Sequence, residues 1–293
     1  MTPATRLRAL LKAEAMVIAP GAYDGITARL IAQAGFPAVY MTGAGTAASY
    51  GYPDFGLVTM TEMVANAARI VRAVDVPVIA DADTGYGNEL NVVRTIQEHE
   101  RVGTSGVHIE DQVSPKKCGH LDVKEIIPRE EWLAKIRAAV ATRRDPDFLV
   151  IARTDSRAIA GFDEAAARCN QALAAGADMA FLEAAQTLEE VAAVPRQVRG
   201  PCLLNIVRGG KTPEVNLLDA QKMGYRLAIL PGLLITVVVG TCDAMLSELK
   251  RTHIHPVPAG DPTVRQLFNR FGADEWDTLR TRFRDDAIVR AAE

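Results

Sequence analysis

Apolar residues along the chain gather into short uninterrupted runs rich in Val, Ile, Leu and Phe. They lie at Met16 to Ala19, Ala38 to Thr42, Val76 to Ala82, Gly106 to Ile109, Phe148 to Ala152, Met179 to Leu182, Cys202 to Ile206 and Leu227 to Leu230. Most lack polar alternation, the pattern of parallel strands buried on both faces. Each run ends in polar residues or glycine and is followed by a longer stretch of helical spacing. In one such stretch Thr59 and Glu62 form a capping box, and Met60, Met63, Val64, Ala67, Ile70 and Val71 mark a single face. In another, Pro128 leads into Arg129 to Arg143, with Glu130 and Glu131 at the positive helix start and Leu133, Ile136 and Val140 as the apolar stripe. Gly35, Gly103, Gly176 and Gly224 each close a helical stretch before a strand, where a left-handed cap is wanted.

Repeated over about 240 residues, these strand-helix units predict an α/β fold, a (β/α)8 TIM barrel, in preference to a doubly wound sheet of five or six strands. After Val239 no strand-like run follows. Ala244 to Lys250, Thr263 to Phe271 and Asp274 to Val289 read as helices, with a proline-rich loop from His253 to Pro262. The expected organisation is a barrel over residues 1–250 and a C-terminal helical tail over 251–293 that packs on the barrel or on a neighbouring subunit. Trp132 and Trp276 fall in helices as expected packing anchors.

Composition narrows the function. With 33 Lys plus Arg against 36 Asp plus Glu, the net charge of -3 lacks the basic excess that nucleic acid or an anionic membrane requires. Pro231 and Gly232 break the run from Leu227 to Val239, which falls short of the ~20 residues of a bilayer span. The N-terminal segment has no continuous apolar core ahead of a cleavage site, so no export signal is expected. Cys118, Cys169, Cys202 and Cys242 form no CxxC pair, which argues against a disulfide framework or structural zinc and fits a reducing, cytoplasmic setting. Cys169, Cys202 and Cys242 read as packing residues.

A barrel carries its working groups at the carboxyl ends of the strands. Those ends are polar here: Tyr40 to Gly45, Asp81 to Gly87, His108 to Gln112, Arg153 to Asp155, Glu183 and Asn205. Asp81 and Asp83 flank Ala82 in what reads as an extended segment, so their carboxylates should share a side with Glu110 arriving from the next strand. Such crowding suits a hard cation, Mg2+ with oxygen ligands; the alternative is that the two aspartates cap the following loop and helix. In the loop Ser114 to His120, Lys116, Lys117 and His120 surround Cys118. Neighbouring positive charge lowers a thiol pKa, so Cys118 reads as a thiolate, a general acid or a nucleophile, or else as an incidental thiol in an exposed loop.

At Lys116-Lys117-Cys118-Gly119-His120 the sequence resembles the isocitrate lyase and phosphoenolpyruvate mutase superfamily, in its lyase branch. The resemblance continues through MTGAGTAAS at 41–49, PDFG at 53–56, DADTGYGN at 81–88, HIEDQ at 108–112, ARTD at 152–155, FLEA at 181–184 and NIVRGGKTP at 205–213. It implies a (β/α)8 barrel, Mg2+ with Mn2+ as a substitute, and a small 2-hydroxy or 2-oxo acid passing through an enolate. Members of this size include 2-methylisocitrate lyases, 2,3-dimethylmalate lyases, oxaloacetate hydrolases and proteins named carboxyvinyl-carboxyphosphonate phosphorylmutase. The resemblance places the oxyacid-binding turn on Thr42, Gly43 and Ala44. It puts the metal on Asp81 and Asp83, supported through water by Asp54 and Glu110, and the mobile gate on Cys118, Gly119 and His120. Substrate binding falls on Arg153, Glu183 and Asn205. The helical tail is expected to pack on another subunit of a homo-oligomer, a tetramer by resemblance.

Two departures bear on the substrate. Methylisocitrate lyases bind their third carboxylate with an arginine just after the strand-eight proline, and Pro231 to Val239 contains none. Arg208 replaces the usual acid of the GGKTP segment and becomes a candidate for a distal carboxylate. The leading expectation is a Mg2+-dependent carbon-carbon lyase acting on a substituted malate. In it Tyr40 serves as base, Cys118 protonates the enolate, and Lys117, His120 and Arg153 steady the charge. The alternatives are phosphonate-type phosphorylmutase or oxaloacetate hydrolase chemistry and, from another class, a non-catalytic acid-binding barrel.

Overall fold

Strands β1 (Val17–Ala22), β2 (Val39–Met41), β3 (Val78–Asp81), β4 (Gly106–Glu110), β5 (Leu149–Thr154), β6 (Met179–Leu182), β7 (Cys202–Asn205) and β8 (Leu227–Leu230) pair in parallel in sequence order. β8 returns to β1, so the sheet closes into a barrel. This is the arrangement in a computed structural model of the chain, which describes residues 1–292. The helices α1 (Pro3–Lys12), α2 (Gly25–Gln33), α3 (Gly43–Ser49), α4 (Met60–Ala73), α5 (Glu89–Val102) and α6 (Arg129–Thr142) belong to the first half. The second half carries α7 (Arg157–Ala160), α8 (Phe162–Ala174), α9 (Leu188–Gln197), α10 (Leu217–Met223), α11 (Leu233–Thr252), α12 (Val264–Asn269) and α13 (Ala273–Ala292).

The strands are apolar throughout because they serve two cores. One set of alternate residues, Tyr40, Ile79, Leu149, Ile151, Met179, Phe181, Leu203, Leu227 and Ile229, fills the barrel interior, and Leu7 of α1 joins them from the N-terminal end. The other set, including Met41, Val78, Ala80, Val107, Ile109 and Val150, meets Ile70, Ile96, Trp132 and Ile136 of the surrounding helices. Each large aliphatic side chain buried in this way contributes about 1.5–3 kcal/mol, so neither layer tolerates a polar residue cheaply. The capping box of Thr59 and Glu62 forms as expected, and Gly103 caps α5 in the left-handed conformation.

Three local differences from the sequence reading have physical reasons. The glycine-rich segment after β2 is a helix, α3, started by the Thr42 hydroxyl accepting a hydrogen bond from the Gly45 amide. α11 begins at Leu233, well before Ala244, because Pro231 and Gly232 end the strand and leave the β-branched run from Ile235 to Val239 free to coil. The chain divides into two compact units, Met1–Thr236 and the residues from Val237 on, so the division falls inside α11 and not after residue 250. None of the described residues of the second unit is fully buried. Trp276, expected as a packing anchor, is 71% exposed, and Cys242 is exposed too, whereas Trp132, Cys169 and Cys202 are buried. Among the described residues no helix is long and apolar enough to cross a membrane.

Candidate active site

The inward line of residues that fills the barrel turns polar at the carboxyl ends of the strands. Tyr40 of β2, Asp81 of β3, Arg153 of β5 and Asn205 of β7 stand above apolar inward neighbours, and His108 and Glu110 of β4 stand above Gly106. The register sets Asp81 beside His108 and Glu110 beside Arg153.

Arg153 organises this ring. Its guanidinium lies 3.1 Å from Glu110 Oε2, 3.0 Å from Asp155 Oδ2 and 3.6 Å from Glu183 Oε1, and it rests over the Phe181 ring at 5.1 Å. Burial pushes the Glu183 carboxyl up, but Arg153, His120 and the Asn205 amide together hold it well below the usual range. Asn205 Nδ2 reaches both Glu183 oxygens at 3.1 Å. Asp81 is equally committed, accepting from the Asp83 amide at 2.9 Å, the Gly43 amide at 3.2 Å and the Tyr40 hydroxyl at 3.3 Å. Burial opposes its charge, and His108, Lys116 and Arg153 restore it. Because Tyr40 donates to Asp81, the His108 Nε2 lying 2.8 Å from the phenol oxygen must be the donor of that pair. Burial and Asp81 raise the Tyr40 pKa well above its usual value, so the phenol keeps its proton.

Asp83 does not continue an extended strand as expected from sequence; its φ of 47° turns the chain, and the two aspartates face each other across the Asp81 carboxylate and the Asp83 amide. Burial, with Asp81 and Asp54 nearby, pushes Asp83 up to about 6 even though Lys116 pulls it down. Lys116 Nζ sits 2.6 Å from Asp54 Oδ1 and 3.0 Å from Asp83 Oδ1, and its side chain is 3% exposed. Among the described residues no three His, Cys, Asp or Glu side chains converge as a ready metal cage. Mg2+ does not ask for one, since it retains waters and takes one or two carboxylates. The donor set fits it on a different ground: Glu110 Oε1 is buried with no donor at all, while Glu110 Oε2 and Asp83 Oδ1 are held only by their ion pairs to Arg153 and Lys116. A buried carboxylate oxygen left without a donor is what a hydrated cation satisfies.

The loop from Ser114 to Glu125 lies over the ring. Its base is closed by the bridge of Gln112 to Ile126, and the Gln112 side-chain amide holds both the Lys117 amide and carbonyl. The Cys118 amide donates to the Asp54 carbonyl at 3.1 Å, and Lys124 Nζ reaches Asp155 Oδ1 at 3.0 Å and the Gly119 carbonyl. Gly119 approaches so closely that a Cβ there would stand 2.4 Å from Glu183 Oε1 and 2.5 Å from Arg153 Nη2. His120 Nε2 is 3.2 Å from Glu183 Oε1. Burial, and then Asp54, push the Cys118 thiol up to about 11, which overturns the expectation of a lowered pKa from neighbouring cations. Lys116 spends its charge on Asp54 and Asp83 instead.

These groups line a cavity of about 90 Å³. Its walls include Tyr40, Thr42, Ala44, Asp54 and Asp81 from the β2 and β3 side of the barrel, Arg153, Glu183 and Asn205 from β5 to β7, and Cys118, Gly119 and His120 from the loop; Val207, Pro231 and Gly232 complete the lining. A roomier cavity of about 360 Å³ lies at the opposite end of the strands, where Arg8 pairs with Asp178 and Arg226 caps the Ala13 and Glu14 carbonyls. Two candidate residues are not brought to the site. Lys117 points its ammonium at the Val123 carbonyl, and Arg208 is 90% exposed, with Glu214 3.6 Å away. Four others received no role from the sequence: Lys116, His108, Lys124 and Asp155. A lysine pair in one loop places its two side chains in different directions, so residue type alone did not distinguish Lys116 from Lys117.

The phosphoenolpyruvate phosphomutase family model matches residues 7–250. The 2,3-dimethylmalate lyase of Eubacterium barkeri is 47% identical over 85% of this chain and 87% of its own length. The 2-methylisocitrate lyase of Aeropyrum pernix is 42% identical over 84% of this chain and 80% of that one. A crystal structure of 2,3-dimethylmalate lyase, described as a PEP mutase/isocitrate lyase superfamily member, superposes with a TM-score of 0.91 at 42% identity, covering 96% of this chain and 95% of that one. With its strand-end ring, thiol-bearing loop and closed parallel barrel, the chain belongs to the phosphoenolpyruvate mutase/isocitrate lyase superfamily, on its lyase branch.

Proposed function

We propose that the protein is a Mg2+-dependent carbon-carbon lyase that cleaves a 2-hydroxy dicarboxylate of the substituted-malate class to a 2-oxo acid and a second carboxylic acid. The observation that carries this reading is a neutral thiol, Cys118, on a loop directly over a small cavity floored by Arg153 and carboxylates. A group held up to about 11 keeps its proton at neutral pH and can deliver it to an enolate carbon. A thiolate nucleophile would need the opposite shift.

Asp81 and Asp83, with Asp54 and Glu110 through water, would hold Mg2+, or Mn2+ in its place, which when bound polarises the C2 oxygen and C1 carboxylate of the acid. Thr42, Gly43 and Ala44 shape the turn beside that end. Arg153, His120 and Asn205 orient and neutralise the developing negative charge, with Glu183 fixing all three. Tyr40 takes the proton of the C2 hydroxyl as it passes its own along its hydrogen bond to Asp81, so the proton lost on cleavage ends on that carboxylate. The loop excludes water from the enolate until Cys118 has protonated it.

Val207, Pro231 and Gly232 also line the cavity and bring no cation to it, so among the described residues its only cationic or ionisable basic groups are Arg153 and His120, both engaged with Glu183. A third carboxylate there would be desolvated unpaired, at a cost of a few kcal/mol, whereas a methyl group would be welcome. The apolar residues exposed on the second unit, among them Val237, Leu246, Leu249, Phe268 and Trp276, support a homo-oligomer, which we read as a tetramer working in the cytoplasm.

A screen of malate analogues with Mg2+, reading 2-oxo acid release, tests the proposal. Substituted malates should turn over best. Efficient cleavage of 2-methylisocitrate would overturn the substrate class, and faster turnover of oxaloacetate or a phosphonate than of any malate would overturn the lyase reading.

A further inference from the structure

We infer that the turn from Val207 to Lys211 clasps the gate and sets the His120 ring, which makes Gly210 and Lys211 positioning residues for the reaction. The inference takes from the proposed function only that the Ser114 to Glu125 loop is a functional lid.

Three contacts from this one turn converge on the gate. The Lys211 amide donates to His120 Nδ1 at 3.0 Å. An amide can only donate, so Nδ1 must present its lone pair and the ring proton of the neutral imidazole must sit on Nε2, which faces Glu183 Oε1 at 3.2 Å. The tautomer is thus set by a backbone group that does not titrate. Asn205 Nδ2 stands 3.4 Å from the same Nε2 but also reaches both oxygens of Glu183. Gly210 lies flat against the ring, where a Cβ would stand 2.6 Å from Nδ1 and 3.0 Å from Cγ. Finally, Lys211 Nζ reaches Asp122 Oδ1 at 2.5 Å, two residues beyond His120 in the gate. Neither Gly210 nor Lys211 lines the cavity. Their contacts join two loops that have no other reason to meet, and each is lost if the gate lifts.

Alkylation of Cys118 by iodoacetamide, followed by peptide mass mapping, reads gate opening directly, with free N-acetylcysteine in the same reaction as the reference. Lys211→Glu and Asp122→Lys should each speed Cys118 labelling about two- to fivefold relative to that reference, the scale of an exposed ion pair. The double charge reversal should return it close to the native rate. Gly210→Ala leaves the ion pair in place but displaces the ring. It should lower kcat about tenfold or more while KM changes less than about twofold, and the imidazole nitrogen resonances should lose the signature of an acceptor Nδ1. Unchanged labelling in both single variants, a double variant as fast as either single, or native kcat in Gly210→Ala would overturn the inference. The labelling arms use no substrate, so they stand or fall apart from the lyase reading.

Discussion

Lys116→Met keeps most of the buried stem and removes the ammonium that lies 2.6 Å from Asp54 and 3.0 Å from Asp83. Two unit charges about 4 Å apart attract by about 4 kcal/mol at an effective dielectric constant of about 20, and that attraction is offset by the desolvation of the lysine. Removing one partner of a buried pair costs about 3–5 kcal/mol, because the other charge is left behind uncompensated. Asp54 retains 16% exposure, so the lower end, about 3 kcal/mol, applies. At about 2–4 °C per kcal/mol, the midpoint of thermal unfolding in EDTA should fall by about 6–12 °C. The deficit has a pH sign. Asp83 has its folded pKa raised to about 6, so the stability linked to its protonation is present at low pH and lost as pH rises through that value. Without Lys116 the ionised form is worse still, and the gap between variant and native protein should widen above about pH 6. Added Mg2+ should restore more of the midpoint in the variant than in the native chain, since a competing cation has gone from its ligands. Melts in EDTA and in Mg2+ at two pH values measure all of this. An EDTA midpoint at pH 7.5 within about 2 °C of the native protein would refute the role given to Lys116.

Cys118→Ser should lower turnover about 10²- to 10⁴-fold while leaving binding of a substrate-like acid within a few-fold, measured by kinetics and calorimetry; native kcat would make the thiol structural. Asp83→Ala should abolish Mg2+-dependent turnover and weaken Mn2+ binding seen by electron paramagnetic resonance, with the circular dichroism spectrum unchanged. His99, wholly buried with neither ring nitrogen hydrogen-bonded, is pushed down to about 4 by burial, so the unfolded chain takes up its proton first and stability drains as pH falls from about 6.5 to about 4. His99→Leu should flatten that limb of the stability curve and cost no more than about 1 kcal/mol at pH 7; a steeper acid limb would contradict it. Arg208→Ala should leave KM for dicarboxylates within about twofold, because the side chain is solvated; a tenfold rise would return Arg208 to the substrate.

The barrel was legible because its strands are apolar on both faces, a demand imposed by two cores that local sequence cannot evade. The ring was legible for the same reason: a polar residue where an inward line should stay apolar stands out, as Asp81, Glu110 and Arg153 do. α3 was hidden, since GAGTAAS has little helix propensity and depends on the Thr42 cap and its burial beside β1. Directions of side chains in the gate were not legible. Lys116 and Lys117 have one chemistry and opposite fates, decided by which one the closed loop turns toward Asp54. The Cys118 pKa runs against the sequence reading chiefly because the closed loop buries the thiol and sets it near Asp54, while Lys116 is engaged with carboxylates. Trp276 was assigned to a core that the second unit does not build among its described residues.

Lys116 and Lys124 flank Cys118 in the gate, and each ends on carboxylate partners, Asp83 with the partly exposed Asp54 for one and the buried Asp155 for the other. Lifting the gate withdraws two positive charges from the ring at once. The open form is therefore the more acidic one, attractive to a divalent cation and repellent to a dianionic acid, while the closed form carries two more cations among the carboxylates and is the less negative vessel in which the acid can be held. A loop of this kind behaves as a two-position valve and not as a flap, since a half-open position would leave an ammonium partly desolvated without its partner. Its opening should then respond to ionic strength, as contacts between neutral groups would not, and Cys118 labelling that is flat from low to high salt would count against such a valve.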